Sequence, residues 1–146
     1  MSFYGKSAAL AIPLSARGDV SKTNTILWSY SRGTPYVPSP VLVNDRLYFT
    51  LSNGAILSCL DAKTGMPAYE RIRLPNVKKL YASPVAADGK IYICDRDGTT
   101  VVIKAGLQAE VLATNKLDDS IDASPAIVGK QLFLRGKRLH CIEEAE

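Results

Sequence analysis

Short runs of Val, Ile, Leu, Tyr and Phe alternate with clusters of Gly, Asp, Asn, Ser and Pro along the whole chain, and no stretch spaces its apolar residues at the step of an amphipathic helix. That pattern predicts an all-β protein. The apolar runs mark strands over 39–43, 46–51, 55–60 and 68–74, and again over 83–87, 90–95, 99–104 and 109–114. Two further runs, 8–14 and 24–30, precede them, and three more strands fit within 124–142.

These runs repeat in register. Ser-Pro recurs at Ser39-Pro40, Ser83-Pro84 and Ser124-Pro125, a spacing of roughly 40 to 45 residues, which is the length of a four-stranded propeller blade. At a constant offset from each serine comes an aliphatic-aromatic pair: Leu47-Tyr48, Ile91-Tyr92 and Leu132-Phe133. Further on, Asn53-Gly54 and Asp97-Gly98 carry the dipeptide favoured at type I′ hairpin turns, and the third copy shortens the same turn to Arg135-Gly136-Lys137. A sandwich or barrel of hairpins has no need to keep all three signals in step. The sequence therefore predicts one domain over 1–146 that is part of a β-propeller, with repeats at about 8–32, 36–75, 80–117 and 122–143. The second and third repeats, 36–75 and 80–117, are complete antiparallel blades, and the outer two are incomplete.

Composition narrows the class further. A hydrophobic content of 47% with 22% charged residues argues against disorder, and no apolar run approaches the ~18 to 20 residues of a membrane helix. Eighteen basic against fourteen acidic side chains leave a net charge of +4. The densest basic stretches, Arg71, Arg73, Lys78 and Lys79, then Arg135, Lys137 and Arg138, have no aromatic residues interleaved for base stacking, so a solvated edge is expected and a nucleic-acid partner is not. Cys59, Cys94 and Cys141 form no CxxC pair and are expected to fill strand cores. The segment MSFYGKSAALAIPL has a single lysine and no convincing cleavage site, so no signal peptide is read there.

Two segments, ILSCLDAKTGMPAY (56–69) and AALAIPLSARGDVSKTNTILW (8–28), resemble the repeat of pyrroloquinoline-quinone-type propellers, in which an Ala-x-Asp-x-x-Thr-Gly turn leads to an outer-strand tryptophan. Trp28 matches that tryptophan, Tyr69 stands in its place in the next repeat, and KAGLQAEVLAT (104–114) keeps only the glycine. The chain is most similar to the carboxy-terminal portion of non-enzymatic quinoprotein-like propellers, and it also resembles the propeller subunit of the outer-membrane β-barrel assembly machinery. The resemblance implies a periplasmic or cell-envelope setting, although the compartment is not otherwise indicated.

Residues 8–14 and 24–30 read as the two outer strands of a blade, and 124–142 as the three inner strands of another. Leaving two blade faces of ~300 Å² uncovered would forfeit about 15 kcal/mol. The expectation is a fragment of a longer propeller, with a ring completed by a second copy as the other arrangement.

Three functional readings follow. The first is a platform for a protein or peptide partner. Residues just before the first strand of each repeat fall near the central axis, which singles out Tyr36, Tyr81 and Asp122 as contact residues, against a bland role in blade packing. The second is a scaffold that only completes a larger propeller. The third is part of a quinone- and calcium-dependent dehydrogenase, for which Asp61, Asp97 and Asp122 are the best-placed acids, yet Asp61 and Asp97 sit at turns that favour Asp for backbone reasons. No catalytic, metal or cofactor residue is assigned. The single histidine, His140, excludes a multi-histidine metal site and reads as structural, and the glycine turns match no phosphate-binding motif.

Overall fold

A computed structural model describes residues 8–21, 24–51 and 54–143. Every regular element among them is a strand. A terminal pair, β1 (Ala9–Ala11) and β2 (Trp28–Tyr30), is followed by two four-stranded antiparallel meanders. Sheet I consists of β3 (Val41–Val43), β4 (Arg46–Leu51), β5 (Ile56–Asp61) and β6 (Pro67–Arg73). Sheet II consists of β7 (Val85–Ala87), β8 (Lys90–Cys94), β9 (Thr99–Lys104) and β10 (Val111–Lys116). Sheet III has β11 (Ala126–Val128), β12 (Gln131–Arg135) and β13 (Leu139–Glu143). The first strands stand side by side, with β7 between β3 and β11. This is the all-β, partial-propeller architecture that the repeat predicts.

The differences from the expected boundaries have local causes. Each innermost strand begins one residue after its proline, at Val41, Val85 and Ala126, because Pro40, Pro84 and Pro125 have no N–H to give a ladder. The runs at 8–14 and 24–30 shrink to three paired residues each, and the strand expected at 109–114 lies at 111–116, where the pairing with β9 is bulged between Val111 and Ala113.

The type I′ turns also lie elsewhere. Positive φ at two successive residues occurs at Asn44-Asp45 (48° and 60°) and Asp88-Gly89 (47° and 67°), the two-residue links between the first and second strands. At the expected site in sheet II only Gly98 has positive φ (83°), and the turn is closed by Gly98 N–H to the Asp95 carbonyl at 3.0 Å. Asn53 lies outside the described residues, and after it Gly54 and Ala55 both have positive φ.

Near the axis the Ser-Pro pairs form a ladder. The Ser39 N–H donates to Ser83 Oγ at 2.8 Å, and the Ser83 N–H donates to Ser124 Oγ at 2.9 Å. One hydroxyl per repeat thus joins each sheet to the next. At the outer rim Trp28 lies on the turn that ends in Gly65, where a Cβ would come within 2.6 Å of the indole, and its Nε1 donates to the Ala62 carbonyl at 2.9 Å. That contact accounts for the Thr-Gly turn and its tryptophan as one device. Tyr69, the replacement, packs between sheets I and II with its hydroxyl buried and unbonded among the described residues.

Between sheets I and II, Tyr48, Leu57 and Cys59 meet Ile91, Ile93, Val101 and Ile103 in the largest core. Between sheets II and III the core is smaller, formed by Ala82, Cys94, Ile121 and Leu134. Trp28, Tyr30, Phe49 and Leu60 join the terminal pair to sheet I. Cys59 and Cys94 are core residues as expected, whereas Cys141 is exposed, because the far face of sheet III, with Val128 and Leu139, meets no other sheet among the described residues.

Candidate functional site

In an antiparallel meander the links from second to third strand and from one sheet to the next emerge at the same end. The three residues singled out for contact lie at that end. Tyr36 and Tyr81 are 53% and 42% exposed, and Asp122 is exposed as well.

Two of them are brought together by a residue that motif reasoning passed over. Arg96, in the Asp95–Gly98 turn of sheet II, places its guanidinium 4.3 Å above the Tyr81 ring centre and holds Asp122 through both oxygens, Nε to Oδ1 at 2.5 Å and Nη2 to Oδ2 at 3.0 Å. Planar guanidinium geometry suits both contacts, which a lysine could not make together. The Asp122 hydrogen bonds push the Arg96 pKa further up, so the group remains a cation. Main-chain bonds hold the turn from both sides, Arg96 N–H to the Lys79 carbonyl and Ile121 N–H to the Arg96 carbonyl, each at 3.1 Å. Tyr36 belongs to the preceding repeat and lies outside this stack.

Two further acids shape the same end. Asp95, 1% exposed, accepts from the N–H groups of Lys78 at 2.6 Å, Lys79 at 3.1 Å and Asp97 at 2.5 Å. Asp119, with its side chain 3% exposed, accepts from the N–H groups of Ser120, Lys137 and Arg138 and lies 3.0 Å from His140 Nε2. The His140 hydrogen bond, followed by the Arg138 and Lys137 amides, holds the Asp119 carboxyl well below the usual carboxylate range. Gly98 is required here, since a Cβ would collide with the carbonyls of Leu117 and Asp119. Neither acid was legible as a site residue from motif spacing.

Of the remaining acids, Asp61 accepts from the Lys63 and Thr64 amides and the Thr64 hydroxyl, which lower its pKa, and so closes its own turn at the opposite end. Asp97 receives the Lys116 ammonium on its main-chain carbonyl. No cluster of three His, Cys, Asp or Glu side chains with metal-binding geometry occurs among the described residues.

No family profile and no curated protein matches the chain. Solved structures do. The chain is similar to BamB from Moraxella catarrhalis, with a TM-score of 0.70 at 16% identity, over 94% of this chain and 40% of that one. It has part of the β-propeller fold. The quinohemoprotein alcohol dehydrogenase ADHIIG from Pseudomonas putida HK5 aligns with a TM-score of 0.58 at 15% identity, over 76% of this chain and 19% of that one. The computationally designed protein Ika8 gives 0.65 at 11% identity, over 82% and 36%. The chain thus spans 40% or less of the length of each of these propellers.

Proposed function

We propose that this chain is a non-catalytic portion of a quinoprotein-like propeller that serves as a binding platform for a protein or peptide, with the contact surface at the end carrying Tyr36, Tyr81 and Asp122. Its ring is completed by further blades, from a longer chain or a second copy. The observation that carries the reading is the Tyr81–Arg96–Asp122 stack, which spans two sheets and keeps an aromatic ring and a guanidinium half-exposed on a rigid base. Such groups bury contact area at little entropic cost. The likeness to BamB agrees with a polypeptide partner, and a cell-envelope setting goes with it.

A photo-crosslinking amino acid at position 36 tests this. A discrete crosslinked polypeptide at position 36, absent from the same probe at position 130 on the other end and weakened by Tyr81→Ala, is expected. Equal crosslinking at both ends would refute the platform.

The second reading, part of a quinone- and calcium-dependent dehydrogenase, draws on the likeness to the alcohol dehydrogenase. It needs several oxygen ligands converging on one cation. Asp122 is spent on Arg96, Asp95 and Asp119 on main-chain amides, and Asp61 on its turn. These commitments weigh against a calcium-quinone site and favour the platform. Substrate-dependent dye reduction after adding quinone and calcium would revive that reading.

A further inference from the structure

The two ends of the sheets handle their cations in opposite ways. At the end with the first-to-second and third-to-fourth strand links, Lys63, Lys90 and Lys104 each pair with a carboxylate, on Asp45, Asp88 and Glu110. At the other end Asp122 pairs with Arg96, but two further carboxylates are nearly buried and turned to the main chain. Asp95 grips the main-chain amides of Lys78 and Lys79, and Asp119 grips those of Lys137 and Arg138. Each nearly buried acid therefore fixes the backbone of two consecutive basic residues while leaving their side chains outside. No carboxylate among the described residues forms an ion pair with Lys78, Lys79, Lys137 or Arg138.

The second basic pair opens on a cavity of about 450 Å³ that Arg96 and Lys116 also line, with Asp97 and Asp118 at its wall. Of those cations Arg96 is committed to Asp122 and Lys116 to the Asp97 carbonyl, so Lys137 and Arg138 are the two whose side chains have no partner among the described residues. Two dibasic pairs, one on the connection between sheets I and II and one on the β12–β13 hairpin, are each anchored through their main-chain amides by an acid and hold their side chains outward, as a receiver for negative charge. One face of the Tyr81 ring is covered by Arg96, which disfavours base stacking.

We propose that this end captures an acidic polypeptide segment, rich in Asp and Glu, through Lys78, Lys79, Lys137 and Arg138. The inference rests on the platform reading and specifies the chemistry of its partner.

The test is fluorescence anisotropy of a labelled oligo-glutamate peptide titrated with the full chain. Binding is expected at low salt and should weaken toward ~0.15 M salt, where the Debye length is about 8 Å. Combined Lys78→Gln, Lys79→Gln, Lys137→Gln and Arg138→Gln, which preserves every gripped amide, is expected to weaken binding by about tenfold or more. Lys63→Gln, Lys90→Gln, Lys104→Gln and Lys130→Gln together, at the other end, should change it less than about twofold. Equal losses in the two sets, no binding at all, or equal capture of duplex DNA or phosphatidylserine vesicles by the same four cations would overturn the proposal. The position-36 crosslink separates the two claims: if it persists and still depends on Tyr81 while oligo-glutamate fails to bind, the platform stands and its acidic specificity falls.

Discussion

The junctions on either side of sheet II use different materials. Toward sheet I the contact is almost wholly apolar: Ile91, Ile93, Val101 and Ile103 press on Tyr48, Leu57 and Cys59, and all seven are buried. Toward sheet III the apolar contact thins to Ala82, Cys94, Ile121 and Leu134, and a mostly apolar cavity of about 290 Å³ remains between Val102, Leu132 and Ile142. Polar links supply the difference there, the Arg96–Asp122 pair and the Asp119 grip on the Lys137–His140 segment. One blade therefore has an apolar seam on one flank and a more polar one on the other, and the Tyr81–Arg96–Asp122 stack lies at the second.

That contrast can be broken most forcefully in the apolar seam. Ile103→Ala should lower unfolding stability by about 3–4 kcal/mol, through lost transfer energy and an unfilled cavity, read by urea denaturation. Leu134→Ala should cost less, about 2 kcal/mol, because its surroundings already contain a void. Equal costs would erase the distinction between the seams.

Smaller effects belong to the polar links. Asp119→Ala should speed hydrogen exchange at the Lys137 and Arg138 amides while leaving that of Ile103 unchanged; uniform acceleration would mean that Asp119 supports the whole fold. The Asp119 carboxyl is held below its ordinary value by His140 first and the Arg138 and Lys137 amides next. A depressed folded pKa contributes stability that is complete above the unfolded value of ~3.9 and is lost as pH falls through the folded one. The amide signals of Lys137 and Arg138 should accordingly hold their positions by NMR while ordinary carboxylates titrate, and move only in stronger acid. Movement at the same pH as exposed carboxylates would contradict that sign. The smallest change is expected at the stack: Tyr81→Phe should leave the thermal midpoint unaltered, and Tyr81→Ala should lower it by only a few degrees.

The architecture was legible because its signals are short-range and repeated. Pro40, Pro84 and Pro125 mark where innermost strands begin, and the unbroken apolar runs Ile91–Cys94 and Val101–Ile103 mark strands covered on both faces. Tyr36, Tyr81 and Asp122 could be placed at one end because each precedes a Ser-Pro pair. The partnership of Tyr81 with Asp122 was not legible, since it depends on Arg96, a residue inside a hairpin turn whose reach is fixed only once two sheets are packed. The same holds for Asp95 and Asp119. Their importance comes from burial and from amides on other loops, neither of which local spacing encodes. The Asp97-Gly98 dipeptide misled for a related reason: it suits a two-residue turn, but the Asp95 grip on the Asp97 amide and the close approach of Leu117 and Asp119 select a longer one.

The serine ladder has a direction. Every rung runs from a main-chain donor on one repeat to a hydroxyl acceptor on the following one, so each unit carries a plug on one flank and a socket on the other. Among the described residues Ser124 still offers its plug and Ser39 its socket. Tandem duplication of such a unit lengthens the wheel without inventing any contact, and because the joint is one small hydroxyl it tolerates wide drift in the surrounding side chains.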